Sequence, residues 1–203
     1  MSNFRRLLKN KKVIFALVIF LILITGGLLW WQGNKEIKGS PDDYIVKETE
    51  EGISVENKKA GLVVRVPEGW EVRKVEFEEG AINFYSLDTD IELQEEKIVL
   101  PIKRGCLIQA NVVYEEMDFE QIREEATMTH IALGVESDEF EEIIINNHKA
   151  LKNIFSLRKY GHGIGIYIPM ENKGYAFYLY WGSDEKEKCV QGFENFLEII
   201  SIK

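Results

Sequence analysis

The chain has 203 residues, of which 45% are hydrophobic and 29% charged, with four prolines and 16 glycines. That composition excludes a disordered, collagen-like or Pro/Gly-rich low-complexity protein. Charge is unevenly spread: the first 12 residues hold Arg5, Arg6, Lys9, Lys11 and Lys12 and no acid, while the 20 basic and 34 acidic residues that follow leave a net −14. A body that acidic repels nucleic-acid phosphates, so no nucleic-acid partner is expected.

Residues 1–12 are read as a cytoplasmic basic tip. Residues 13–31 form a charge-free apolar run of 19 residues that includes 13 Leu, Ile, Val or Phe. As a helix it spans roughly 28 Å, close to a bilayer's hydrocarbon thickness. Trp30 and Trp31 stand at its far end, where amphipathic rings favour the interface, and the basic tip orients it with the acidic body outside. A cleaved signal peptide fits less well: the only small pair, Gly26-Gly27, is followed by Leu28, Leu29, Trp30 and Trp31. No cysteine follows the run to take a lipid, since the first is Cys106. The expectation is therefore a retained single-pass signal anchor in the plasma membrane, with the C-terminal domain extracytoplasmic.

Residues 32–58 are polar, with Gly39-Ser40-Pro41-Asp42 as a turn signature, and are read as a juxtamembrane linker ending in a short strand near Ile53. The domain proper is placed at 59–203. Alternation predicts strands over 62–66, 70–77, 81–87 and 106–114, with a turn at Pro67-Glu68-Gly69. Asp118 and Gln121 have the capping-box spacing, opening a helix over about 119–131. Asn146-Asn147 marks a hairpin between strands near 141–145 and 150–156, because Asn tolerates positive φ. A second hairpin joins 163–168 to 175–181. Ser183 or Asp184 is expected to cap a last helix, whose Val190, Phe193, Phe196, Leu197 and Ile200 recur at helical spacing. The fold class is α+β, an antiparallel sheet flanked by helices.

The run Gly61-Leu62-Val63-Val64-Arg65-Val66-Pro67-Glu68-Gly69-Trp70 resembles the opening strand, Pro-x-Gly-Trp and strand of the PsbP/Mog superfamily. The C-terminal order is similar too: the Asn146-Asn147 hairpin, Tyr167, Tyr175 to Leu179, then Phe193, Phe196 and Leu197. The resemblance covers about 60–203. It implies an α/β/α sandwich and a domain that acts by binding other proteins, and it brings no catalytic constellation with it.

Chemistry-bearing residues are few. Cys106 and Cys189 outside the cytoplasm form either a disulfide or two separate buried thiols. His130, His148 and His162 lack metal-ligand spacing, and the glycines around His162 read as a flexible bend. Asp88, Asp90 and Glu92, with Glu95 and Glu96, resemble the start of a calcium loop, but Leu93 stands where a glycine is needed, so a solvated acidic loop is expected. No catalytic residue, metal or cofactor is expected. Alternation puts Tyr175, Phe177, Leu179 and Trp181 on one face of a strand and Ala176, Tyr178 and Tyr180 on the other. Tyr178 and Tyr180 form either a partner or glycan surface or a face that a helix covers. The reading is a membrane-anchored, extracytoplasmic, non-enzymatic interaction or assembly module with a protein partner at the membrane surface. Its rival is a domain binding a small ligand or a cell-wall polymer.

Overall fold

The computed structural model describes residues 39–50, 52–74, 80–91, 102–157, 161–182 and 184–203. The basic tip, the apolar run, the start of the expected linker and most of the acidic 88–96 loop lie outside the described residues. Among the described residues no helix is long and apolar enough to cross a membrane.

A 3-10 turn (Pro41–Asp43) leads into β1 (Tyr44–Thr49), β2 (Gly52–Asn57) and β3 (Leu62–Arg65). Then come β4 (Trp70–Lys74), β5 (Ala81–Ser86), β6 (Asp90–Ile91), β7 (Ile102–Arg104) and β8 (Cys106–Val113). Helix α1 (Phe119–Leu133) is followed by β9 (Val135–Ile145), β10 (His148–Leu157), β11 (Gly161–Met170) and β12 (Lys173–Trp181). Helix α2 (Lys186–Ile199) and β13 (Ser201–Ile202) end the chain. A seven-stranded sheet runs β4-β5-β8-β12-β11-β10-β9, beside a four-stranded sheet β1-β2-β3-β13. Every described pairing is antiparallel.

Local chemistry sets the joints. Gly69 takes φ +82° and the Trp70 N–H donates to the Pro67 carbonyl at 3.2 Å, closing the turn foreseen there. Asn146 and Asn147 both have positive φ, 49° and 68°, the geometry a two-residue hairpin turn requires. The Asp118 carboxylate accepts from the Glu120 and Gln121 N–H groups at 2.9 and 2.8 Å, and Gln121 returns a bond to the Asp118 N–H at 2.9 Å.

Three expectations change. The stretch read as linker contains the β1–β2 hairpin, and β2 pairs with β3. That hairpin looked polar because Tyr44 is its one buried side chain in β1, while Ile45 and Val46 are exposed. The N-cap of α2 is Glu185, which makes no side-chain cap; its carboxylate instead accepts from the Gly105 N–H. The glycines around His162, Gly161 and Gly163, are not a bend but part of β11. Gly163 and Gly165 lie in β11, where a side chain at Gly163 would meet the Phe155 ring at 2.3 Å and one at Gly165 the Tyr167 ring at 3.1 Å. They are small because rings lie across them.

One face of the large sheet is sealed. Helix α2 buries Cys189, Phe193, Phe196 and Leu197 on it. The Phe196 ring sits 5.1 Å from Phe84 and 5.9 Å from Phe177. Trp70, from the Pro-x-Gly-Trp turn, packs against Gly192 of α2, where a methyl group would come within 2.9 Å of its ring. Cys106 and Cys189 are joined in a disulfide that ties the start of β8 to the first turn of α2, 83 residues apart. Two phenols stitch the small sheet to the large one. Tyr44 Oη donates to the Gly80 carbonyl at 2.6 Å, and Tyr175 Oη donates to the Ala60 carbonyl at 2.5 Å. Burial pushes both phenols up, that of Tyr175 to about 12, so both stay protonated donors.

Candidate functional site: a tyrosine–amide cleft beneath α1

The other face has different chemistry. Strand register aligns Asn83, Gln109, Tyr178, Gly165 and Asn153 in one row across five strands. The neighbouring rows hold Tyr85, Leu107, Tyr180, Gly163 and Phe155, and Ala81, Asn111, Ala176, Tyr167 and Leu151. Amides, tyrosines and small residues therefore occupy positions that on the opposite face carry Ile, Phe and Leu. Among the described side chains of helix α1 the buried ones are Ile122, Ala126 and His130, one turn apart, and they cover this face. Met128 and Ile131 point away, 67% and 69% exposed.

A narrow contact stripe over a polar face leaves a cleft of about 500 Å³ between α1 and the sheet. That is within the size range of small-molecule sites. Its floor is Asn111 between Ala81 and Ala176, and its rim on the helix side is Glu125 and Thr129. An aromatic strip runs along one wall. His130 lies 5.0 Å from Phe155, Phe155 5.9 Å from Tyr180, Tyr180 6.2 Å from Tyr178, and Tyr178 5.6 Å from Tyr167. Phe155 reaches this strip by strand parity, two residues beyond Asn153 and opposite Gly163. Among the described residues neither Lys nor Arg lines the cleft, whereas Glu115 and Glu125 do. Beyond Met117 and Pro169 it runs into a shallower groove edged by Glu116, Asp118 and Glu171.

Two amide acceptors on this face, Asn83 Oδ1 and Asn111 Oδ1, are shut off from water and find no hydrogen-bond partner among the described residues. Asn83 does donate to Tyr85 Oη at 2.9 Å. A buried acceptor without a donor costs about 1–3 kcal/mol. This face carries polarity that its own packing does not fully satisfy.

Tyr178 and Tyr180 are half-buried and line this cleft, so α1 covers their face only in part. Cys106 and Cys189 are remote from it, on the sealed side. His130 is buried on α1 against Phe155, and exposed His162 stacks on Trp181 at 5.9 Å. Asp88 pairs with Lys188. Among the described residues no group of three or more His, Cys, Asp or Glu gathers as a metal site. Gln109 and Asn111 were not anticipated. Their signal lies in β8, where polar Gln109 and Asn111 alternate with buried Cys106, Ile108, Ala110 and Val112 in a central strand.

No protein-family model matches the chain, and no curated protein does. Its structural neighbours include a PsbP. The solution structure of cyanobacterial PsbP (CyanoP) from Synechocystis sp. PCC 6803 is similar at TM-score 0.49 and 12% identity, over 74% of this chain and 91% of that one. A crystal structure from Bacteroides thetaiotaomicron VPI-5482 is similar at TM-score 0.44 and 13% identity, over 70% of this chain. This chain spans 45% of that second protein. Neither likeness says what the chain binds.

Proposed function

We propose that the chain is a non-enzymatic binding module tethered to the outer side of the plasma membrane by residues 13–31, where it assembles with a protein partner. The observation that carries the binding reading is the half-covered face of tyrosines and amides beneath α1. Tyrosine and amide side chains supply apolar area and hydrogen bonds together, as recognition surfaces do. The +5 tip and the apolar run support the topology. The Cys106–Cys189 disulfide supports an oxidising compartment. A second reading, a small ligand or wall polymer as the bound species, is favoured by the depth of the cleft.

Crosslinking intact cells with a membrane-impermeant reagent, through a C-terminal tag on the full chain, tests the module. Reproducible capture of one protein, lost when 39–203 is exchanged for an unrelated domain, is the expected result. A tag that the reagent cannot reach after any outer barrier is opened would overturn the topology.

A further inference from the structure

We infer that β9 is a docking edge, to which an extended basic segment of the protein partner adds as one more strand of the seven-stranded sheet. The inference rests on the protein-partner reading above and names that partner's chemistry. An edge strand carries a row of unpaired N–H and C=O groups, which folds blunt by shortness, lysine, proline or a bulge. The other edges of the two larger sheets, β4, β1 and β13, have five, six and two residues, whereas β9 has 11 and holds neither proline nor lysine. Among the described residues no strand pairs with its outer side. A bulge, where Ser137 and Asp138 stand against Phe155 alone, ends the regular ladder and leaves residues 139–145 as the straight part.

The hairpin turn decides which groups of that part point outward. A two-residue turn with both φ positive closes on a pair that exchanges both hydrogen bonds, here Ile145 and His148. Such pairs alternate down the ladder, so Ile143 and Glu141 are also bonded to β10. Phe140, Glu142 and Ile144 turn their N–H and C=O groups to the open side. Their side chains lie on the α1 face, with Ile144 64% exposed. The chemistry of the edge selects its occupant. Val135–Ile145 contains Glu136, Asp138, Glu139, Glu141 and Glu142 and no base. Arg123 and Lys152 reach Glu142 and Glu141 at 3.2 and 4.0 Å, yet both carboxylates stay more than half exposed. Pairing two copies edge to edge would set two all-acid strands side by side. A strand with cations beside Glu139, Glu141 and Glu142, and apolar residues beside Ile144, complements the edge in charge and in hydrogen bonds.

The full chain in detergent micelles would be titrated with a synthetic peptide, made in both chain directions, that alternates lysine with threonine in one half and is valine-rich in the other. The same peptide with glutamate for lysine is the comparison. Residue-resolved hydrogen exchange should find the Phe140, Glu142 and Ile144 amides open in the free chain and slowed roughly tenfold or more by the lysine peptide alone. Glu142→Ala removes one carboxylate and should weaken binding roughly threefold. Glu142→Pro also removes an outward N–H that β10 does not use, a place where an edge strand tolerates proline, and should weaken binding roughly tenfold further. The exchange pattern needs no variant, so it decides even if the proline chain melts early. Unchanged outward amides, equal binding of the glutamate peptide, or binding that a folded Glu142→Pro chain retains would each overturn the inference. So would protection that rises with chain concentration and no peptide, which would make the occupant a second copy. In intact cells, a photo-crosslinking residue in place of Ile144, with one in place of exposed Glu194 on α2 as control, separates this inference from the reading beneath it. Capture through Ile144 of a basic segment supports both. Capture through the C-terminal tag but never through Ile144 strikes the edge alone, and capture by neither route removes both.

Discussion

The two faces of the seven-stranded sheet are built from the same strands and do opposite things. Toward α2 the strands present Phe84, Ile108 and Phe177, and the helix answers with three large apolar side chains and a disulfide. Toward α1 the same strands present Asn83, Gln109 and Tyr178, and the helix answers with Ile122, Ala126 and His130. A two-residue period lets each strand serve both purposes, since adjacent residues never share a face. The lesson is a division of labour. The α2 face concentrates stability, and the α1 face keeps open space and amide acceptors without a donor among the described residues.

The sharpest way to break this comparison is to open the sealed side. Replacing Cys106 and Cys189 by serine should cost up to about 4.5 kcal/mol on the chain-entropy model for a loop of this length. Urea unfolding of the oxidised and double-variant chains measures it. Equal midpoints would show that the disulfide is incidental to the α2 face.

Next in size is a matched pair of truncations. Phe196→Ala removes a fully buried ring that touches both Phe84 and Phe177, and should cost about 4 kcal/mol. Ile122→Ala, on the stripe beneath α1, should cost about 2 kcal/mol, at the low end because the cleft beside it lets neighbours relax. Equal costs would mean that α1 is packed as closely as α2, and the division of labour would fail.

A third test stays within the cleft face. Gly163→Ala forces a methyl group onto the Phe155 ring and should cost about 1–3 kcal/mol by overpacking. Gly174→Ala, whose nearest neighbour would be 3.7 Å away, should be neutral or gain about 0.5 kcal/mol through a stiffer unfolded chain. Thermal melts of the two variants separate ring accommodation from general glycine flexibility.

How much of this was legible without coordinates differs between the faces. The apolar face follows from alternation and helical spacing: Tyr175, Phe177 and Leu179 in β12, and Phe193, Phe196 and Leu197 in α2, declare their sides in sequence alone. The parity of Tyr178 and Tyr180 was equally plain. The cleft was not, because it depends on register between strands far apart in the chain. Nothing in β8 alone says that Gln109 stands beside Tyr178, or that Asn111 falls between two alanines. The short elements were also hidden. β13 has two residues, and β1 contributes one buried side chain, too little for a period to appear. The disulfide was an open alternative because pairing geometry is tertiary information.

The smallest effect sharpens the comparison at the edge of the sealed face. Asp88 lies beside the disulfide-bearing turn, and its carboxyl is held well below the usual carboxylate range, at about 2, by hydrogen bonds from the Lys188 ammonium and the Ser86 hydroxyl. An acid whose folded pKa lies below its unfolded value takes up protons more readily when unfolded. The stability it lends is therefore complete above about pH 4 and disappears as pH falls through 2. The pair is partly open to water, with the Lys188 side chain 55% exposed, so screening holds the gain below about 1 kcal/mol. Carboxyl NMR should follow Asp88 to a midpoint near 2 in the native chain and to a clearly higher one in Lys188→Ala. Because Lys188 stands on α2, that variant should loosen the sealed face slightly above about pH 4, converge with the parent chain as pH falls through 2, and leave the resonances of Tyr178 and Tyr180 where they were. Movement of those tyrosines with Asp88 would show that the two faces are coupled through the sheet, and that the cleft is not independent of the core behind it.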